Sequence, residues 1–295
     1  MAHQDTYDQN PGLRRSDLWQ MHVSPKHFKF FMDNRSLRAS ASKDFGIAMH
    51  KYLLEPDTFF DEFAIAPVVN KRTKAGKETW NEFLEQCASD EKIALDPADF
   101  QLIQEMTAAA LANPLVVQLL QGPKEEECYW TDPATGEPLK AKMDCLTTYE
   151  GKDYIVDYKT TDSCQDGHFE RSSSKYGYQF QAGFYIEGME QVHQKPFGFI
   201  FIAQEKKAPY ACRVYICSPT YIEKGKEQFH TYLDMYHLCK MTNNWFGYEG
   251  SASIPTPTIL QDDAERYATK RAMNMSQSYQ STSFGIYEDD ESDEE

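Results

Sequence analysis

The chain has no C-x-x-C pair, no long apolar run, no internal repeat and no excess of positive charge. Its seven cysteines, at positions 87, 128, 145, 164, 212, 217 and 239, are odd in number and irregularly spaced. That excludes the usual signatures of a disulfide framework, a zinc site or a cysteine-ligated iron–sulfur cluster, and reduced, buried thiols are expected. No stretch approaches the roughly 18–20 apolar residues of a membrane-spanning helix, and the polar start "MAHQDTYDQNPG" lacks the apolar core of a secretory signal. A cytoplasmic protein with no membrane association is therefore expected. The net charge of −16 argues against a polycation that coats nucleic acid, although seven of the last eight residues are acidic and the rest carries −9. An enzyme acting on DNA would need a local basic channel or metal cations to receive phosphate.

What is present suffices for a large core: 295 residues, 41% hydrophobic and 14% aromatic. The first 122 residues read as helical. Ser16 is expected to cap "SDLWQM", Ser24 with Pro25 to open "SPKHFKFFMD", and a helix is expected over 43–54 ahead of Pro56. "KRTKAGKETWNEFLEQCA" reads as a basic loop continuing into a helix, and "DPADFQLIQEMTAAALA" as a helix capped by Asp96 with Pro97 in its first turn. From about residue 125 the periodicity becomes that of strands. "EEECYW", "LKAKMDCLTTY" and "DYIVDYKTT" are joined by turn signals at "TDPATGEP" and "EGK". One helix over "KYGYQFQAGFYIEGMEQ", strands in "FGFIFIAQ" and "YACRVYIC", and a long helix opened by Ser218 and Pro219 complete a βββαββα order. The expected fold is α/β, a mixed central sheet flanked by helices. The expected organisation is one domain over 1–250, with its α/β core at 123–250, followed by an extension over 251–295 with a solvated acidic tail.

"DYIVDYKTTD" places charge inside a strand. Alternation puts Asp157 and Lys159 on one face and Val156 and Tyr158 on the other. A tight turn at Glu150 and Gly151 sets a register in which Asp144 faces Asp157 and Lys142 faces Lys159. Like charges so placed repel. A divalent cation such as Mg²⁺, with Mn²⁺ as substitute, would turn the two carboxylates into hard ligands. Lys159 could then orient a water and stabilise charge on a phosphate, which is phosphodiester hydrolysis. D-x-K alone is also common on a solvated strand face.

With these residues in place, the segment resembles the D…D-x-K signature of the PD-(D/E)XK nuclease superfamily. "GIAMH", ending at His50, is similar to the G-x-x-x-H motif of its RecB-like branch, and "QAGFY", from Gln181 to Tyr185, matches Q-x-x-x-Y. "HKYLLEP", "RTKAGKE" with "FLEQCAS", and "YWTDPATG" ahead of "KAKMD" extend the likeness, over roughly residues 10–240, to the nuclease domain of RecE-type exonucleases (exonuclease VIII) of phage recombination systems. Met143 stands where relatives are expected to have proline. The resemblance implies a restriction-endonuclease-like core, with His50, Asp144, Asp157 and the main-chain carbonyl of Tyr158 as metal ligands and Lys159 as the residue that orients water. Gln181 and Tyr185 would position DNA or the lysine, and Glu125, or its neighbour Glu126, would be a further acidic site residue. It also implies Mg²⁺-dependent digestion of linear duplex DNA ends from 5′ to 3′, leaving 3′ single strands for an annealing protein, a homo-oligomeric ring, and no iron–sulfur cluster. A free-standing nuclease domain is expected, in a bacterial or phage-infected cell. Arg35 to Arg38, and Lys71, Arg72, Lys74 and Lys77, are candidate phosphate contacts. A nicking or structure-specific endonuclease and a non-catalytic recombination adaptor are the alternatives.

Overall fold

The computed structural model describes residues 6–34 and 41–248. Arg35 to Arg38 and the acidic tail lie outside the described residues. The chain begins with α1 (Thr6–Gln9), α2 (Arg15–Leu18) and α3 (Pro25–Asp33), followed by α4 (Ala41–Leu54), α5 (Phe59–Glu62) and β1 (Phe63–Ile65). Next come α6 (Lys74–Ser89), β2 (Ile93–Leu95), α7 (Pro97–Leu111) and α8 (Pro114–Leu119). The second half holds β3 (Lys124–Thr131), β4 (Pro138–Tyr149), β5 (Lys152–Thr161), α9 (Asp166–Tyr176), α10 (Tyr178–His193), β6 (Gly198–Glu205), β7 (Cys212–Ile216) and α11 (Pro219–Thr242). Strands β3 to β7 form one sheet in chain order, antiparallel except for the parallel pair β5–β6, and β1 and β2 form a separate parallel pair. This is the expected mixed sheet flanked by helices. No helix among the described residues is long and apolar enough to cross a membrane.

Several caps fall where the sequence puts them. Ser24, Asp96 and Ser218 each accept a hydrogen bond from a first-turn N–H, and each is followed by proline. Ser16 does not cap: α2 starts two residues earlier than a Ser16 cap would set, behind Arg14, whose N–H donates to the buried carboxylate of Asp17 at 2.9 Å. The single helix expected after β5 is two, broken at Gly177 in the left-handed conformation (φ 67°). There a Cβ would fall 2.6 Å from the Trp19 ring, so only glycine lets the tryptophan lie on the backbone.

The sheet separates two cores. Ile155 on β5 and Phe199, Phe201 and Ala203 on β6 pack against Phe180, Phe184 and Met189 of α10 and Phe229 of α11. Val156, Tyr158, Ile200 and Ile202 face the other way, toward Met49 of α4, Ile103 and Met106 of α7, and Val116 of α8.

On β4 the alternation breaks. Leu139, Ala141 and Met143 lie in the α10 core, whereas Cys145 lies in the α4 core and Leu146 packs against the first again. The irregularity sits at Asp144, as a bulge would produce it, and opposite it Glu125 on β3 has a positive φ of 54°.

Helices α10 and α11 cross at their glycines. A Cβ on Gly183 would lie 2.1 Å from the backbone carbon of Gly225, and one on Gly225 would lie 2.1 Å from the Gln179 carbonyl oxygen. Neither backbone can retreat without moving a whole helix. Gly183→Ala is therefore expected to destabilise the fold by at least about 1–3 kcal/mol, the usual cost of overpacking. A chemical-denaturation midpoint unchanged from the parent would show that the helices do not cross this closely.

Candidate metal and phosphoryl-transfer site

The β4–β5 hairpin turns at Glu150 (φ 49°) and Gly151 (φ 74°), the two positive values of a tight turn. From it the expected register runs from Tyr149↔Lys152 to Cys145↔Val156. It stops one step short of Asp144 and Asp157. At that step the side chain of Asp144 replaces its backbone, and Oδ2 accepts the Tyr158 N–H at 2.8 Å. The expected Lys142–Lys159 pair does not form. Lys142 is opposite Glu127 on β3 and its Nζ lies 3.2 Å from Glu125 Oε2.

The strands thus part where the two aspartates stand. The edge of β4 left open is taken by the N-terminal segment: the Leu13 N–H donates to Pro138 O at 2.9 Å and its carbonyl accepts from the Lys140 N–H at 3.0 Å. The buried Lys140 ammonium fixes this segment by donating to the carbonyls of Tyr7 and Asn10.

Groups from both faces of the sheet converge on the gap. From α4, His50 Nδ1 lies 3.3 Å from Asp144 Oδ2, and its ring meets that of Tyr158 edge-on at 5.2 Å. The Tyr158 backbone also hydrogen-bonds the imidazole. From α10, the Gln181 side-chain amide donates to Asp157 Oδ1. Lys159 Nζ lies 2.5 Å from Asp157 Oδ2, an oxygen that has charge contact but no hydrogen bond. Tyr185, one turn beyond Gln181, feels the charges of both Asp157 and Asp144.

Burial raises the Asp144 carboxyl to about 8, with the Asp157 charge as the second cause. Burial first, and Lys159 second, lowers His50, so the imidazole is neutral and able to ligate a metal. Burial and then Asp144 raise Glu125, while Lys142 opposes them. That coupling puts Glu125 within electrostatic reach of Asp144.

The donor set suits a hard divalent cation: two enclosed carboxylates that repel each other, a neutral imidazole, and an Asp157 oxygen lacking a hydrogen bond. As placed, no three His, Cys, Asp or Glu side chains among the described residues form a metal-binding group. Asp157 is held by Lys159 and Gln181 instead.

Lys71, Arg72, Lys74 and Lys77 are exposed around the start of α6. Lys71 Nζ lies 3.1 Å from the Trp80 ring centroid and Lys74 pairs with Glu78 at 3.8 Å. None of these contacts involves the residues around Asp157.

Arg15 is the site neighbour that sequence reasoning missed. It donates to the carbonyls of Tyr176 and, at 2.7 Å, Gly177, tying α2 to the break between α9 and α10. Gly177 O also accepts the Gln181 N–H at 2.9 Å, so one carbonyl links Arg15 to the residue that holds Asp157. Burial lowers the Arg15 pKa against the attraction of Tyr185 and Asp157, and its buried Nε has no hydrogen-bond partner among the described residues.

Residues 15–254 match the family described as a PDDEXK-like domain of unknown function, DUF3799. Among solved structures, a Eubacterium rectale protein described as a "putative exonuclease" superposes with a TM-score of 0.57 at 15% identity, covering 83% of this chain and 88% of that one. The SSO0001 structure aligns at a TM-score of only 0.31 and 11% identity, over 75% of this chain and 76% of that one, too low to carry an inference. No curated protein matches. The likeness to the Eubacterium rectale structure is one of fold.

Two outcomes are expected. Asp144 binds its proton more tightly folded than unfolded, so in metal-free protein this group's contribution lowers stability as pH rises from about 4 to about 8. Asp144→Asn should flatten that part of a melting-temperature profile, and an unaltered slope would show that Asp144 is not the group responsible. Arg15→Ala should cost about 1.5–3 kcal/mol in denaturation, the range for hydrogen bonds to a charged donor.

Proposed function

Because the chain belongs to the PDDEXK-like DUF3799 family, we infer that its split β4–β5 hairpin is the reaction centre of a divalent-metal-dependent exodeoxyribonuclease. The observation that carries this reading is the meeting of Asp144, Asp157 and Lys159 at the point where the two strands part, with His50 entering from one face and Gln181 from the other. The substrate is linear double-stranded DNA, digested from its ends in the 5′ to 3′ direction. The product is a 3′ single strand, handed to an annealing protein in recombination. The acting form is a homo-oligomer in the cytoplasm of a bacterial or phage-infected cell.

His50, Asp144, Asp157 and the Tyr158 carbonyl would hold Mg²⁺, or Mn²⁺ in its place. When bound, the cation supplies Lewis-acid activation of water and neutralises phosphate charge. The protein's own residues do the rest. Lys159 holds its ammonium 2.5 Å from Asp157. There it can orient the attacking water and offset charge building on the phosphate oxygens. Gln181 fixes the orientation of Asp157 through Oδ1. Tyr185, within electrostatic reach of both aspartates, would position the DNA strand or the lysine. Glu125 adds a further acidic group near Asp144. Lys71, Arg72, Lys74 and Lys77, with Arg38, are proposed as phosphate contacts along the approaching duplex.

The decisive assay offers linear duplexes labelled separately at each end, with covalently closed circles alongside, in the presence of Mg²⁺. Digestion from the 5′ ends with the circles intact is expected. Opened circles would instead mark an endonuclease. Asp157→Ala should abolish digestion, a loss of at least about 10²-fold, while keeping the fold and some DNA binding. Full digestion by that variant would sink the mechanism, and absence of digestion by the parent would favour a non-catalytic adaptor.

A further inference from the structure

Tyr158 touches two of the groups that meet at the gap, and its side chain runs away from it into the core. Its N–H donates to Asp144 Oδ2 at 2.8 Å, its backbone hydrogen-bonds His50, and its ring meets the imidazole edge-on at 5.2 Å. The ladder to β4 has ended at Val156, so at Tyr158 the sheet continues through β6, where the register partner is Ile202.

At the far end of the ring the phenol donates to Gln204 Oε1. Gln204 lies on β6 and, like Tyr158, is fully buried. Its amide nitrogen donates to Met106 O on α7 at 2.7 Å and to Tyr210 O at 3.1 Å. Both amide hydrogens are thus taken by carbonyls, and a flipped amide would set its oxygen against them. Oε1 therefore has one orientation, toward the phenol. Burial raises the phenol well above its ordinary range, so it keeps the proton that it donates.

The anchor reaches beyond this pair. Helix α7 packs against α4, which carries His50, and Tyr210 Oη donates to Glu105 Oε2 on α7 at 2.7 Å. One amide thereby joins β5, β6, α7 and the chain ahead of β7. A phenylalanine and a leucine would fill similar space with no polar group to desolvate. What a phenol and an amide add is direction, since a ring held at its far end cannot slide in its own plane.

We propose that Gln204 is a positioning residue for the reaction centre, holding the Tyr158 ring so that His50 and Asp144 keep the geometry in which they would share a cation. That these two groups hold a cation rests on the nuclease reading above; the contact of Gln204 with Tyr158 does not.

Gln204→Met keeps the length of the side chain and removes the amide, and Tyr158→Phe removes the hydroxyl alone. Mn²⁺ binding by the full chain, without DNA, is followed by electron paramagnetic resonance. Each variant is expected to bind Mn²⁺ about 10–100-fold more weakly than the parent, the usual cost of losing a group that orients metal ligands. The double variant should bind no more weakly than Tyr158→Phe, because the phenol is the link. In metal-free protein the NMR resonances of the His50 ring, identified by their loss in His50→Gln, should move in Gln204→Met. They should not move further when Gln204→Met is added to Tyr158→Phe. A merely structural role predicts a lower denaturation midpoint with unchanged Mn²⁺ affinity and an unmoved His50 resonance, and that result would overturn the proposal. Additive losses in the double variant would overturn it as well. Should the parent bind no Mn²⁺, the metal reading falls, and the His50 resonances still decide whether Gln204 acts on the imidazole through Tyr158. If Gln204→Met does not fold, Tyr158→Phe tests the contact from its other end, and parental Mn²⁺ affinity in that variant would overturn the proposal.

Discussion

One hydrogen bond sets the geometry on which the site depends: the Asp144 carboxylate accepts the Tyr158 N–H where a ladder carbonyl would ordinarily do so. In a regular hairpin Asp144 and Asp157 would be a directly opposed pair of like charges, a destabilising arrangement. Substituting a side chain for the backbone ends the ladder at Cys145 and Val156 without orphaning the Tyr158 donor. The released edge of β4 is then satisfied by Leu13. Because the sheet is open at this point, α4 and α10, which pack on opposite faces, can both reach into it. A continuous sheet would have kept His50 and Gln181 apart.

The charge balance follows from the same opening. Two carboxylates are enclosed together, and the nearest full positive charge is Lys159, with Lys142 and Arg15 further out. The structure meets the deficit by keeping a proton on Asp144 and none on His50. That solution is costly, since a carboxyl raised to about 8 gives up its charge at neutral pH. A cation offers a better one, because it replaces the proton and turns the mutual repulsion of the aspartates into ligation. An acidic chain can therefore present a locally phosphate-receptive centre, and net charge is a poor guide to what the gap accepts.

Much of the sheet was legible because the information is local. The Glu150–Gly151 turn and strict alternation on β5 fix the register and place Asp157 and Lys159 opposite Val156 and Tyr158. The proline-marked caps were legible for the same reason. The bulge at Asp144 was not, since it depends on a side chain competing with the ladder, and neither was the break at Gly177, which only the proximity of Trp19 explains. Ser16 has the composition of a cap but lost the role to a start fixed by the buried Asp17. Arg15 could not be found from spacing, because its partners lie more than 160 residues away and are main-chain carbonyls, which no motif records. Strands β1 and β2, three residues each and separated by α6, are too short for their periodicity to stand out.

The position of Gln181 shows how packing adds to its hydrogen bond with Asp157 in setting the site's precision. Helix α10 buries Phe180, Phe184, Ile186 and Met189 against the sheet and α11, and its Gly183 touches the backbone of Gly225. Gly188 admits the Trp130 ring on the same helix, where a Cβ would come within 2.6 Å. A helix so enclosed has no freedom to slide or rotate without clashing with backbone or ring. Gln181 and Tyr185 therefore take their places before any ligand arrives, and the Arg15 bonds at Gly177 fix the end of the helix nearest Asp157. The Gly183–Gly225 contact involves neither strand of the hairpin, yet with the Gly188–Trp130 contact it sets how closely an amide approaches a carboxylate across the gap.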